Sequence, residues 1–152
     1  MTAALIPLPF QGASFDEGRQ PQEEKEKTMG LDMYAYKTFE RPQAEIAFDI
    51  DDIDSVEIIH AWRKHPNLHG WMEALYRKKG GKAKMFNCEP VVLTADDLDA
   101  LEAVIKADDL PNTEGFFFGV SDGTERERDL AFIEKARAAI AEGYTVYYES
   151  WW

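Results

Sequence analysis

The residues of this chain best suited to chemistry are three histidines and one cysteine. His60, His65 and His69 fall within ten residues, and Cys88 follows nineteen positions after His69. On an unbroken helix, His65 and His69 would share a face, as a metal ion requires. Pro66 and Gly70 interrupt that helix, no glutamate completes a zinc-protease pattern, and Cys88 has no cysteine neighbour. No metal site is therefore assigned, and the histidines are read as ordinary hydrogen-bonded side chains. Cys88 with His69 could form a nucleophile and its base, with Asn87 orienting the imidazole. Sequence distance does not bring them together, and a buried free cysteine is the commoner case, so no catalytic residue and no cofactor is assigned. Asp49, Asp51, Asp52 and Asp54 suggest a calcium loop, but Ile53 occupies a ligand position and no glycine supplies the turn. Ser121-Asp122-Gly123-Thr124 reads as a turn feeding a helix cap.

Elements must position these groups. Leu31 to Lys37 alternates with a period of two and predicts a strand, and Ala44 to Ile50 predicts a second. Asp54 or Ser55 could cap a helix carrying Val56, Ile59, Ala61 and Trp62 as far as Pro66. Leu68, Trp71, Met72, Leu75 and Tyr76 then mark a helix over 67–79, stopped by Gly80-Gly81. Pro90 to Leu93 is a short strand. Thr94, with Asp97 three positions on, opens a helix that buries Leu98, Leu101, Val104 and Ile105 and ends at Leu110-Pro111-Asn112. Gly115 to Gly119 is read as a short buried segment or strand. Thr124, with Glu127, caps a last helix that ends at Gly143, and 144–152 is a β-rich aromatic run. This order argues an α+β fold: a small antiparallel or mixed sheet of three to four strands against three to four helices. The first and last strands are expected to pair at its centre. Residues 1–28, where Pro7 and Pro9 break an apolar stretch and polar residues follow, read as a flexible or extended tail before a single domain over 29–152.

The chain has 152 residues, 29 acids and 17 bases, a net charge of −12. Apolar residues at 45% exclude a wholly disordered chain, and no stretch approaches the roughly 18 apolar residues of a membrane span. The acidic balance opposes direct nucleic-acid binding. One cysteine excludes an internal disulfide framework and suggests a reducing compartment. Charge is also segregated: 40–57 carries about −6, 95–109 about −5, and 60–86 about +6. Asp96, Asp97, Asp99 and Glu102 thus form a candidate acidic face for a partner with a basic surface, and mimicry of nucleic acid is a special form of that reading. Trp62, Trp71, Tyr76, Phe86, Phe116 to Phe118, Tyr147, Tyr148, Trp151 and Trp152 supply a core and its rim, with Tyr147 and Trp151 as candidate anchors for a planar ligand or a partner side chain.

Met29-Gly30-Leu31-Asp32-Met33-Tyr34, Trp62-Arg63-Lys64 with Asn67, His69 and Trp71, Asn87-Cys88, Gly115-Phe116-Phe117-Phe118-Gly119, and Tyr147-Tyr148 with Ser150-Trp151 together resemble a family of small phage and prophage proteins, over residues 29–152. The extension at 1–28 and the His65-Pro66 pair depart from that pattern. The resemblance brings no catalytic assignment. It implies a phage gene product acting in a bacterial cytoplasm, where small acidic proteins bind and redirect host proteins. The leading expectation is a non-enzymatic factor that binds a host or phage protein, in its sharper form an inhibitor of a host defence nuclease or nucleic-acid-binding complex. The rival is a small enzyme or ligand-binding domain whose pocket gathers Trp62, Arg63, His69, Trp71, Asn87 and Cys88.

Overall fold

Strand β1 (Asp32–Thr38) lies between β2 (Glu57–Arg63) and β4 (Thr145–Trp151), and β3 (Val91–Leu93) completes a four-stranded sheet in the order β2-β1-β4-β3. Every pairing is antiparallel. The structure is a computed structural model, describing residues 30–152; the expected tail over 1–28 lies outside the described residues. Among the described residues three helices accompany the sheet: α1 (Pro66–Lys78), α2 (Ala95–Lys106) and α3 (Arg126–Ala141). The fold is α+β, and its first and last strands pair over their full length from Asp32↔Trp151 to Thr38↔Thr145.

One sheet face builds the core. Met33 and Ala35 of β1, Trp62 of β2, and Val146 and Tyr148 of β4 are buried there with Leu68 and Met72 of α1, Leu98 and Leu101 of α2, and Phe132 and Ile133 of α3. On the opposite face Tyr147 stacks on Tyr36 with centroids 5.1 Å apart and takes the edge of Phe48 at 5.3 Å. Tyr147 is therefore buried rather than presented as an anchor.

Two elements differ from the sequence reading. The residues expected to be a helix after Ser55 are β2, preceded only by a 3-10 turn over Ile53–Ser55 that Asp52 caps. A β-bulge explains the error. Ala35 pairs with His60 while Tyr36 pairs with Ile58, leaving Ile59 as the extra residue. That insertion destroys the period of two and leaves Val56, Ile59 and Trp62 at helix-like intervals. The expected strand over 44–50 reduces to a single bridge, Ile46↔Val91. Ala47 follows in the left-handed region at φ 52°, which ends extended pairing at once. The bridge still covers the outer edge of β3, helped by Val92 N–H donating to the Glu45 carbonyl at 2.8 Å.

The other boundaries follow their local chemistry. Pro66 stands in the first turn of α1, where its missing N–H leaves no bond unmade. Thr94 and Asp97 form a complete capping box on α2. Helix α2 stops at Lys106, before the expected Leu110-Pro111-Asn112 signal, because Asp108 adopts φ 52°. Thr124 does not cap α3. Glu125 is the cap residue, and the Thr124 hydroxyl donates to Asp122 Oδ1 at 2.6 Å instead.

Candidate functional site

The chain reverses between β2 and α1 at Lys64, in the left-handed region at φ 56° and tied by its N–H to the Leu31 carbonyl at 2.8 Å. This brings His65 to the start of α1, as the N-cap residue but without a side-chain cap bond. Ser121 supplies the missing acceptor from a distant loop: the Asn67 N–H donates to its Oγ at 3.1 Å. The Asn67 side chain then holds the other end of that loop, its Oδ1 accepting the Thr113 N–H at 3.0 Å. Asn67 thus fastens residues 113 and 121 to one helix terminus, and the intervening segment closes as a compact loop.

Close contact adds to the fastening. A Cβ on Gly70 would lie 1.9 Å from Thr113 Oγ1, so only glycine lets the loop base approach α1 this closely. A Cβ on Gly119, at φ +75°, would lie 2.8 Å from Lys64 Cβ. Phe118 points inward and packs edge-on against His69 at 5.2 Å and Trp152 at 5.0 Å. Its neighbours point out: Phe116 is 80% exposed, Val120 81% and Phe117 44%. Phe117 adopts φ 69°, a conformation that disfavours any side chain bearing a Cβ. The expected buried segment over 115–119 is therefore a display loop with one anchor, Phe118.

Beneath the loop runs a chain of polar contacts. Ser121 Oγ lies 2.7 Å from His65 Nδ1, and His65 Nε2 lies 2.7 Å from Asp129 Oδ2 on α3. Trp62 Nε1–H donates to the other oxygen, Asp129 Oδ1, at 2.9 Å. His65 is 3% exposed and Asp129 1%. An ionised carboxylate only accepts, so Nε2 carries a proton. In the neutral ring Nδ1 is then the acceptor for the Ser121 hydroxyl. The relay borders an open cleft of about 610 Å³, lined also by Asp108, Asp122 and Arg126.

No family, curated protein or solved structure matches this chain. The site is thus defined by its geometry.

Among the residues singled out from the sequence, Trp62 enters this site through its hydrogen bond to Asp129. Arg63 is on the same strand, its Nη1 2.8 Å from Asp32 Oδ1. His69 lies elsewhere in the core. Its Nδ1 meets the Tyr148 hydroxyl at 2.8 Å, its Nε2 has no hydrogen-bond partner, and burial pushes its pKa down to about 4. Trp71 is half-buried against the core. Asn87 clasps the backbone of Trp152, donating to its carbonyl at 2.6 Å and accepting its N–H at 3.0 Å. Cys88 is exposed, its thiol meets Asn87 Oδ1 at 3.7 Å, and partial desolvation, with Glu149 and Glu89 nearby, pushes it up, away from the reactive thiolate. Among the described residues no hydrogen bond joins His69 to Cys88.

The acidic helix face is largely neutralised from within. Lys79 Nζ lies 2.6 Å from Asp97 Oδ2. Burial alone would raise the Asp97 carboxyl, but bonds from Lys79 and Thr94 outweigh it and hold it below its ordinary range. Arg137 pairs with Asp99 at 2.6 Å and with Glu102 at 3.1 Å. Asp96 is exposed on the first turn of α2, and Trp151 is exposed at the end of β4. No group of three or more His, Cys, Asp or Glu among the described residues is placed to hold a metal ion, and no helix among them is long and apolar enough to cross a membrane. The residues that sequence reasoning missed are Ser121, His65 as a relay member, and Asp129. Ser121 and Asp129 stand 56 and 64 positions from His65, and no local spacing announces such a meeting.

Proposed function

We propose that this chain is a protein-binding factor that inserts Phe116, Phe117 and Val120 into a groove of its partner. The observation that carries this reading is the exposure of three large apolar side chains within five residues, on a loop fastened at both ends by Asn67 and from below by Phe118. Scattered exposed apolar residues are ordinary, but a cluster on a preorganised loop is what a recognition surface needs. Aromatic side chains already held in place lose little conformational entropy on docking, so more of their buried area becomes affinity.

The net charge of −12 favours encounter with a basic surface. With the phage resemblance, this supports a bacterial host protein as the partner, and a defence nuclease or nucleic-acid-binding complex as the sharper form. The pairing of Asp97, Asp99 and Glu102 with Lys79 and Arg137 leaves less free charge on α2 and so supports the display loop as the contact. The test is differential capture from bacterial lysate. Phe116→Ser with Val120→Ser should lose a protein that the unmodified chain retains. Asp96→Lys with Asp99→Lys, which spare the Asp97 capping box, should retain it. The opposite pattern would return the interface to α2.

A further inference from the structure

We propose that Ser121 is an acylatable nucleophile, with His65 as its base and Asp129 as the group that orients the ring, acting on small cationic esters or thioesters in the adjoining cleft. This inference is independent of the protein-binding reading. Three observations carry it. The two contacts of the relay are both 2.7 Å, so the three groups are continuous. Its two inner members are buried while the serine opens on a cleft of about 610 Å³, of a size for a small ligand. The Asn67 N–H, in the first turn of α1, donates to the serine oxygen at 3.1 Å, which fixes the hydroxyl and leaves its proton directed at His65.

The imidazole presents Nδ1 to the serine and Nε2 to the aspartate, the reverse of the ring orientation in serine proteases. Either orientation gives one accepting and one donating nitrogen, which is what the chemistry requires. Trp62 occupies the second oxygen of Asp129, which fixes the carboxylate and through it the ring. In the acylation step the Ser121 oxygen bonds to the substrate carbonyl carbon and its proton passes to His65. The bond to the leaving alcohol or thiol breaks, and that group takes the proton from His65. Water, activated by the same ring, then attacks the acyl carbon. A carboxylic acid leaves and the serine is restored.

The cleft wall supplies the preference for positive charge. Asp122 is held as an acceptor by the Thr124 hydroxyl and N–H at 2.6 and 3.0 Å, and Asp108 is exposed beside it. The Glu125 carboxylate, also on the wall, accepts the N–H groups of Asp122 and Gly123. Arg126 is the opposing charge, its guanidinium donating to the Lys106 carbonyl at 3.3 Å.

The full chain treated with a fluorophosphonate reagent should gain one adduct, located at Ser121 by peptide mass spectrometry and absent in Ser121→Ala. His65→Asn should slow labelling on the order of 100-fold or more. Should His65→Asn fail to fold, His65→Gln replaces it and must slow labelling as well. Absence of an adduct, an adduct spread over other hydroxyls, or a rate indifferent to His65 would overturn the assignment and leave the relay as a structural tie. Acetylthiocholine compared with its neutral 3,3-dimethylbutyl isostere, followed by thiol release, tests the substrate class. A preference of about tenfold for the cation is expected, equivalent to roughly 1.4 kcal/mol. Equal or better turnover of the neutral ester would overturn the cationic assignment.

Discussion

If the display loop is held against its local preference, substitution of Phe117 must show an inverted order of alanine and glycine. At φ 69° a residue with a Cβ is disfavoured against glycine by about 1–2 kcal/mol. At an ordinary position the order is reversed, because glycine loses more chain entropy on folding, by about 0.5–1 kcal/mol. Phe117→Ala and Phe117→Gly delete the same ring and its contact with Phe116 at 4.1 Å, so packing cancels between them. The difference left is strain relief less chain entropy, a net advantage for glycine of about 0.75 kcal/mol at the middle of the two ranges. Urea denaturation reads it directly: for a domain of this size the midpoint should rise by a few tenths molar from the alanine to the glycine variant. Ala100, exposed in the interior of α2, is the control, where glycine should cost about 1 kcal/mol. If Phe117→Ala proves as stable as Phe117→Gly, the backbone is not held in the left-handed region. The claim that the fold sustains strain to present this loop then fails.

Further predictions concern the scaffold beneath the loop. Asp129→Ala leaves the buried donors of Trp62 and His65 without an acceptor and should destabilise by about 2–6 kcal/mol in urea denaturation, about 1–3 for each donor; a loss below about 1 kcal/mol would contradict a buried relay. Gly70→Ala should lower the melting temperature although alanine is the better helix former by about 1 kcal/mol, because its Cβ meets Thr113 Oγ1; a raised melting temperature would show that the loop base does not sit there. His69 has a folded-state pKa of about 4, below its ordinary value of 6.5, so the unfolded chain binds the proton more readily. The neutral ring's stabilisation is therefore intact above about pH 6.5 and is lost as pH falls toward 4, by roughly 3 kcal/mol. His69→Gln should be less sensitive than the unmodified chain between pH 7 and pH 4.5, by about 2.5 kcal/mol in unfolding free energy; parallel pH profiles would refute the burial argument.

Much of the architecture was legible because its signals are local. The capping box at Thr94-Asp97, the proline at the start of α1, Gly80 and Gly143 at helix ends, and the alternation in β1 each act within a few residues. Strand β2 was hidden because its bulge at Ile59 removes the period by which a strand is recognised. The loop over 115–119 was hidden for a different reason. Three consecutive phenylalanines signal burial on composition, and the backbone reverses that signal for two of them by turning at Phe117 and Gly119. A charge count along the chain is a poor guide to the free charge of α2. Counting acids along 95–109 omits Lys79 and Arg137, which arrive from α1 and α3 to neutralise them. The relay of Ser121, His65 and Asp129 combines three elements distant in sequence, and only the folded chain brings them within hydrogen-bond reach.

The most direct test of the central claim places a photoreactive benzoyl-phenylalanine at position 116 and, in a parallel variant, at position 96, followed by irradiation in a bacterial cytoplasm. The account predicts a discrete crosslinked partner from position 116, absent when Val120→Ser is added, and none from position 96. A partner captured from position 96 and not from 116 would contradict the display loop as the site of contact.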